Sequence, residues 1–236
     1  MACPICQSTK SSLAGSKHGH KLYRCADCSL LYVSPAPVDG ELIHYYQDYH
    51  KTSQYIRKIK SKQRRAKKRI WSLQRLTLGK KFIDVGCNEG YAVAAARSLG
   101  LEACGIDVNE ASIGLAHQQY PMGDFRATNA QALATTDERF DIIYCSDVIE
   151  QLSDPHSFIA ALYTLLNKGG VLFLTTPDIG HFSVQKNLLD WTAVRPPEHL
   201  LYFSKAPLQQ LLEMHQFNQI SFRPNLKPTL KLIARK

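Results

Sequence analysis

The chain has 236 residues, 44% of them hydrophobic, enough for one full core plus a short accessory module, so a folded globular protein is expected. No apolar run approaches the roughly 18 residues of a membrane helix, and the opening Met1-Ala2-Cys3-Pro4-Ile5-Cys6 lacks a charged leader with an apolar stretch behind it; a soluble, cytoplasmic protein is expected. The excess of 29 Lys and Arg over 20 Asp and Glu is local: residues 51–81 hold eight Lys, five Arg and no acid, +13, and the remainder sums to −4.

Residues 1–50 are rich in Cys, Ser, Tyr and Pro, with short strands expected at Leu22–Arg24 and Leu30–Val33. They bury little core, and segments this small ordinarily rely on a metal or on disulfides. Cys3, Cys6, Cys25 and Cys28 form two Cys-x-x-Cys pairs eighteen residues apart. Each pair sits on a tight turn that lets both sulfurs face one ion, and four soft thiolates make a closed tetrahedral set for a structural zinc. Disulfides are the competing explanation, disfavoured by the expected compartment and by the strain of pairing across two residues. His18 and His20 are able to replace one sulfur but are expected as polar loop residues, and Cys87, Cys104 and Cys145, lying singly in apolar stretches, as buried thiols.

A short helix is expected at Glu41–Tyr49, then a long connecting helix across residues 51–80, in which Ile56, Ile59, Ala66, Ile70 and Leu73 share one stripe and Lys and Arg occupy the other faces. A positive segment this dense attracts nucleic acid or anionic headgroups; a well-solvated helix face is the equal alternative. From residue 81 strand-like runs (Phe82–Val85, Glu102–Ile106, Asp141–Cys145, Val171–Thr175) alternate with helical ones (Tyr91–Leu99, Ala111–Gln119, His156–Leu166), the pattern of a parallel sheet covered by helices. A helix at Lys205–His215 precedes two runs, Gln219–Arg223 and Leu230–Ala234, that close the sheet as an antiparallel pair.

Ile83-Asp84-Val85-Gly86-Cys87-Asn88-Glu89-Gly90-Tyr91 is a strand entering a glycine turn and then a helix, which lets backbone approach a ligand at the strand's carboxyl end. Asp107, seventeen positions after Gly90, ends the next strand, where it can accept both hydroxyls of a ribose. The dinucleotide fingerprint Gly-x-Gly-x-x-Gly fails, because Asn88 and Tyr91 stand at its second and third glycines.

Asp84-x-Gly86-x-x-x-Gly90, Asp107, the run Phe140–Leu152 and the turn Leu166-Asn167-Lys168-Gly169-Gly170 instead resemble, in order, four motifs of the class I S-adenosylmethionine-dependent methyltransferases. The resemblance covers residues 80–236 and implies an α/β, Rossmann-like fold: a seven-stranded, mostly parallel sheet with an antiparallel C-terminal strand. With the segments before it, the chain is expected to divide into three parts: a zinc-binding module (1–50), the basic connecting helix (51–80) and the methyltransferase domain (81–236). Asp84, Gly86, Cys87, Asn88 and Gly90 would hold the methionine end of the cofactor, Asp107 and Val108 the ribose, Asn129 and Ala130 the adenine, with Ser146 and Asp147 beside them. Asn129 stands where Asp is more usual, and Asn88 where glycine is frequent.

Cys-Pro-x-Cys, Tyr23-Arg24-Cys25-x-x-Cys28, Pro35-x-Pro37 and Tyr45-Tyr46 resemble bacterial methyltransferases that carry a zinc ribbon, many acting on sugars or secondary metabolites. Pro196-Pro197-Glu198-His199-Leu200 is similar to a substrate-side motif of that group. His199, whose ordinary pKa lies near 6.5, is the expected general base, with Glu198 orienting it and Tyr202 contacting the acceptor. Gln151 replaces a frequent His after Glu150, which speaks against a base there. A small-molecule or sugar-type acceptor is expected; an RNA methyltransferase gripping phosphates with the basic helix and zinc module is the alternative, and a scaffold with a degenerate site a third.

Overall fold

In strands buried on both faces, alternate residues feed two separate cores. Phe82, Ile142, Tyr144, Val171 and Phe173 join one buried cluster, and Ile83, Val85, Ile143, Cys145, Leu172 and Leu174 the other. These residues belong to a seven-stranded sheet in a computed structural model that describes residues 2–36, 59–184 and 188–236. The expected helix at Glu41–Tyr49, Tyr45-Tyr46, Pro37 and the first part of the connecting helix lie outside the described residues.

The N-terminal strands are β1 (Ser11–Lys17), β2 (His20–Cys25) and β3 (Leu31–Val33). Helix α1 (Ile59–Gln74) leads into β4 (Lys81–Val85), α2 (Tyr91–Arg97), β5 (Glu102–Asp107), α3 (Glu110–Gln119), β6 (Asp124–Ala127) and α4 (Ala130–Leu133). The second half runs β7 (Phe140–Ser146), α5 (Pro155–Leu165), β8 (Leu166–Pro177), β9 (Leu201–Tyr202), α6 (Lys205–Met214), β10 (Asn218–Phe222) and β11 (Thr229–Arg235). The large sheet has the order β10-β11-β8-β7-β4-β5-β6. Strands β4 to β8 pair in parallel, β11 runs antiparallel to β8, and β10 antiparallel to β11. This is the expected Rossmann-like fold.

Several elements differ from expectation for local reasons. Strand β6 has the sequence Asp-Phe-Arg-Ala and buries only Phe125, so it carries no periodic signal. Strand β1 is polar and largely exposed, held by its antiparallel pairing with β2. In α1, Ala66, Ile70 and Leu73 are buried against α2, as their spacing requires.

The second sheet has the order β1-β2-β3-β9. Its last strand comes from beyond β8: Leu31 pairs with Tyr202 and Tyr32 with Leu201, and Val33 N–H donates to Leu200 O at 2.9 Å. The N-terminal module is thus completed by a strand that follows the loop from Leu188 to Leu200.

Candidate active site

Three residues between β4 and α2 take left-handed conformations: Gly86 at φ 77°, Asn88 at φ 51° and Gly90 at φ 79°. A Cβ on Gly86 would lie 2.4 Å from Val148 Cγ2, and one on Gly90 2.5 Å from the Phe125 ring, so space as well as backbone angle demands glycine at both. Asn tolerates the left-handed region better than most residues, which answers for Asn88. The turn is stitched to β5: Gly86 and Cys87 N–H both donate to Ile106 O at 2.9 Å. Asn88 N–H donates to Asp107 Oδ2 and Asn109 N–H to Oδ1, each at 2.9 Å. The Asp107 carboxylate is therefore fixed by two backbone donors, and each of its oxygens has acceptor capacity beyond one N–H.

The turn and this carboxylate border one cavity of about 860 Å³. Of the residues expected around a cofactor, Gly86, Asn88, Asp107, Val108 and Asn129 line it. Ala130, Ser146 and Asp147 also line it. Asp84, Cys87 and Gly90 do not: they form the layer beneath, where Asp84 and Cys87 are buried. Burial, and next the Asp107 charge, push the Asp84 carboxyl well above the usual carboxylate range. Asn129 caps α4, its Oδ1 accepting from Ala132 N–H at 2.7 Å. At the end of β7, Thr175 Oγ1 donates to Asp147 Oδ1 at 3.2 Å, and Ser146 and Thr175 hydroxyls lie 2.8 Å apart.

The acceptor-side expectation changes in one respect. Glu198 lines the cavity, whereas neither His199 nor Tyr202 does. His199 is 3% exposed; its Nδ1 lies 2.9 Å from Ala193 O, and its Nε2 3.3 Å from Arg195 Nη2. A carbonyl accepts only, so Nδ1 carries the proton and the Nε2 lone pair is taken by the guanidinium. Burial first, then the Arg195 charge, lower its pKa to about 4, and the ring stays neutral at physiological pH. One nitrogen is bound to the Ala193 carbonyl, and the other lies beside Arg195 and 3.9 Å from Glu198 Oε1, two residues that line the cavity, so the ring stands one layer behind it. Tyr202 is also buried, and its hydroxyl donates to His199 O at 2.6 Å, holding the loop. Arg195 Nη2 pairs with Glu198 Oε1 at 2.7 Å and itself lines the cavity.

Glu150 is 1% exposed, its Oε2 accepting from Thr176 Oγ1 at 2.8 Å while Oε1 has no hydrogen-bond partner. Burial, then the Asp147 charge, push it up to about 8. Gln151, unlike Glu150, lines the cavity, its Nε2 donating to Asp147 O at 2.8 Å. Residues that the sequence did not single out also line it: Tyr144 and Arg69, Lys227 and Lys231. Only the strict alternation Leu230-Lys231-Leu232, with both leucines buried, could have marked Lys231 as facing the opposite side of β11.

Away from the cavity, the Sγ atoms of Cys3, Cys6, Cys25 and Cys28 all lie within 4.8 Å of one another, with Cys3–Cys28 and Cys6–Cys25 each at 3.5 Å. Sulfurs around one tetrahedral ion with ~2.3 Å bonds stand about 3.8 Å apart, so the four fit a single metal. Burial pushes the Cys3 thiol up to about 11 and raises Cys28 as well. For Cys25 burial is outweighed by the Cys28 and Asp27 N–H donors, and its pKa falls to about 7. As thiolates, four sulfurs this close would need a cation between them. His18 and His20 lie outside the set; His18 Nδ1 sits 3.1 Å from Pro196 O, and His20 begins β2.

A family model described as a methyltransferase domain matches residues 53–221. The ubiquinone biosynthesis O-methyltransferase of Pseudomonas entomophila strain L48 is 37% identical over 112 residues, 45% of this chain and 48% of the relative. That of Pseudomonas putida strain W619 is 38% identical over the same shares. The chain spans about half the length of these curated relatives. Among solved structures, a SAM-dependent methyltransferase from Archaeoglobus fulgidus has a TM-score of 0.61 at 14% identity, covering 78% of this chain and all of that one. A magnesium protoporphyrin IX methyltransferase from Synechocystis PCC 6803 with bound SAH has a TM-score of 0.60 at 17% identity, covering 83% and 99%. No described helix is long and apolar enough to cross a membrane. With its fold, its cofactor-side motifs and a match over most of its length in agreement, this chain belongs to the methyltransferase domain family.

Proposed function

We propose that the protein transfers a methyl group from S-adenosylmethionine to a small-molecule or sugar-type acceptor. The reading is carried by one observation: the glycine turn after β4 and the Asp107 carboxylate border the same cavity, joined by the 2.9 Å bond from Asn88 N–H to Asp107 Oδ2. When bound, the cofactor supplies an electrophilic methyl on a good leaving group, so the protein's task is chiefly to align donor and acceptor. Asp107 takes the ribose hydroxyls, the backbone around Gly86 and Asn88 takes the methionine end, and Asn129 and Ala130 lie against the adenine. Glu198, alone of the three acceptor-side candidates in lining the cavity, is the carboxylate beside the acceptor; His199 and Tyr202 are positioning residues that fix its loop. Calorimetric titration of the full chain with S-adenosylmethionine tests this. Saturable one-to-one binding is expected, and a folded protein that binds none refutes the reading in favour of a scaffold.

We propose further that the four-cysteine cluster holds a structural zinc, with all four positions filled by protein. Elemental analysis of the purified untagged chain should give one zinc per molecule. A metal-free protein whose N-terminal strands are intact would refute it.

A further inference from the structure

We propose that the acceptor is an anion, a small molecule bearing phosphate or carboxylate groups, received in the part of the cavity walled by α1, β11 and the Arg195 loop. The proposal rests on the methyltransferase reading above and assigns the substrate class of that site.

The basic helix α1 sorts its residues into three faces. Ala66, Ile70 and Leu73 are buried, Arg64, Lys67 and Lys68 are exposed, and Lys62, Arg65 and Arg69, spaced by three and four, turn to the cavity. Lys227, Lys231 and Arg195 join them there, so six cations line the cavity against three carboxylates, Asp107, Asp147 and Glu198. Glu198 is paired with Arg195, and Asp107 is engaged by two backbone N–H groups at the cofactor end. Asp147, bound by Thr175 in the row of Lys231, offsets one charge, and with Lys62, Arg65, Arg69, Lys227 and Lys231 there a positive excess still falls on the helix and β11 side.

Two of these cations share one face of the sheet. The registers Ser146↔Thr175 and Thr175↔Lys231 set Lys231 in a row directly above the row Tyr144, Phe173, Ile233. Arg69 lies against that lower row, its Nη1 donating to Tyr144 Oη at 3.0 Å and its guanidinium 5.5 Å from the centre of the Phe173 ring. Burial, then the nearby Arg69 charge, hold the Lys231 ammonium below its ordinary pKa. Like charges gathered in a partly closed cavity repel one another and focus a positive potential that an anion relieves. The cofactor does not supply that relief: its sulfonium and ammonium outweigh its single carboxylate, so its arrival adds to the excess.

The test is calorimetry on the full chain. The protein is loaded with S-adenosylhomocysteine and then titrated with pyrophosphate or with succinate at constant ionic strength. Binding of one of them with a Kd below about 1 mM is expected; pyrophosphate would identify a phosphate group and succinate a carboxylate. Lys231→Gln should weaken that binding by about tenfold with S-adenosylhomocysteine affinity unchanged. Lys227→Gln, at an exposed position, does the same and guards against a folding defect in the first variant. Changing Arg64, Lys67 and Lys68 together to Gln should leave it unchanged. The proposal is overturned if S-adenosylhomocysteine binds but neither anion does at ~10 mM. It is equally overturned if anion binding falls with the outer triple variant and not with Lys231→Gln, the behaviour of a helix face that grips a nucleic-acid backbone. Failure to bind S-adenosylhomocysteine at all is a separate result, which removes the methyltransferase reading and the anionic acceptor with it.

Discussion

Replacing Asp107 with Asn tests the cofactor end of the cavity with little change of shape. Each carboxylate oxygen accepts one backbone N–H at 2.9 Å, from Asn88 and from Asn109, and in the proposed complex each also accepts a ribose hydroxyl. Asn offers one oxygen and one NH2, and whichever way the amide lies, its NH2 faces a backbone donor. One hydroxyl loses its acceptor, the other keeps a neutral one, and either Asn88 or Asn109 N–H loses its partner. Hydrogen bonds to charged groups contribute roughly 1.5–3 kcal/mol each, so the net loss in cofactor affinity should be about 2–3 kcal/mol, or ~30- to 150-fold in Kd. Calorimetric titration of wild type and Asp107→Asn with S-adenosylmethionine measures this, with thermal melting to verify that the variant folds. A folded variant binding within about threefold of wild type would refute the assignment of Asp107 to the ribose.

Asp84→Asn provides the contrast: its carboxyl is buried, pushed toward the protonated form and outside the cavity lining, so an amide mimics it and cofactor Kd should stay within about threefold on the same titration. Glu150, with a folded pKa of about 8 against an ordinary 4.5, binds its proton more tightly when folded, so its contribution is intact below pH 4.5 and is lost as pH rises through 8. Glu150→Gln should therefore melt progressively higher than wild type as pH is raised from 5 to 9, and parallel melting curves would contradict the shift. His199 has the opposite sign: its pKa of about 4 lies below the ordinary 6.5, so stability is full above pH 6.5 and declines as pH falls toward 4. A shift of that size corresponds to ~3 kcal/mol; His199→Gln should flatten the acid limb of melting temperature against pH, and an unchanged limb would count against a neutral buried ring. His215, also held low by burial and by His156, leaves part of the limb in place. Stripping metal with excess chelator should raise hydrogen exchange across residues 2–36 and 188–204 while S-adenosylhomocysteine affinity holds within about threefold; exchange changes confined to residues 2–36 would refute the coupling.

What was legible in the sequence follows from how each signal is generated. The central strands read correctly because a strand buried on both faces is an apolar run, as in Ile142-Ile143-Tyr144-Cys145. The juxtaposition of the glycine turn with Asp107 was legible because backbone geometry imposes that spacing, and the gathering of the four cysteines because two Cys-x-x-Cys turns can bring their sulfurs together. Strand β6 was invisible, a four-residue strand with two charged residues, and β1 was hidden by polarity. The placement of His199 was not legible, because a pKa depends on burial and neighbours and nothing in Pro-Pro-Glu-His shows that the ring turns inward onto Ala193 and Arg195. The net charge of α1 was plain, but its partition into buried, cavity-facing and solvent-facing residues required knowing what packs on it.

The two ends of the cavity are held by different parts of the chain. The cofactor end is built from β4, β5 and the turns that follow them, all internal to the large sheet. The acceptor end depends on the loop bearing Arg195 and Glu198, which leaves the large sheet after β8 and is anchored in the N-terminal module. Leu201 and Tyr202 complete that module's sheet, Lys17 Nζ donates to Leu189 and Trp191 carbonyls, and His18 contacts Pro196 O. The module's Ile5, Leu22, Leu30 and Leu31 are buried in the same cluster as Val194, Leu200 and Phe203, so packing already ties the loop to it, and the proposed zinc would fix the two turns that carry the four cysteines. On the proposed reading the cysteine module belongs to the acceptor half of the site: turns held by a zinc would help to set where Glu198 stands, while the cofactor end is built without them.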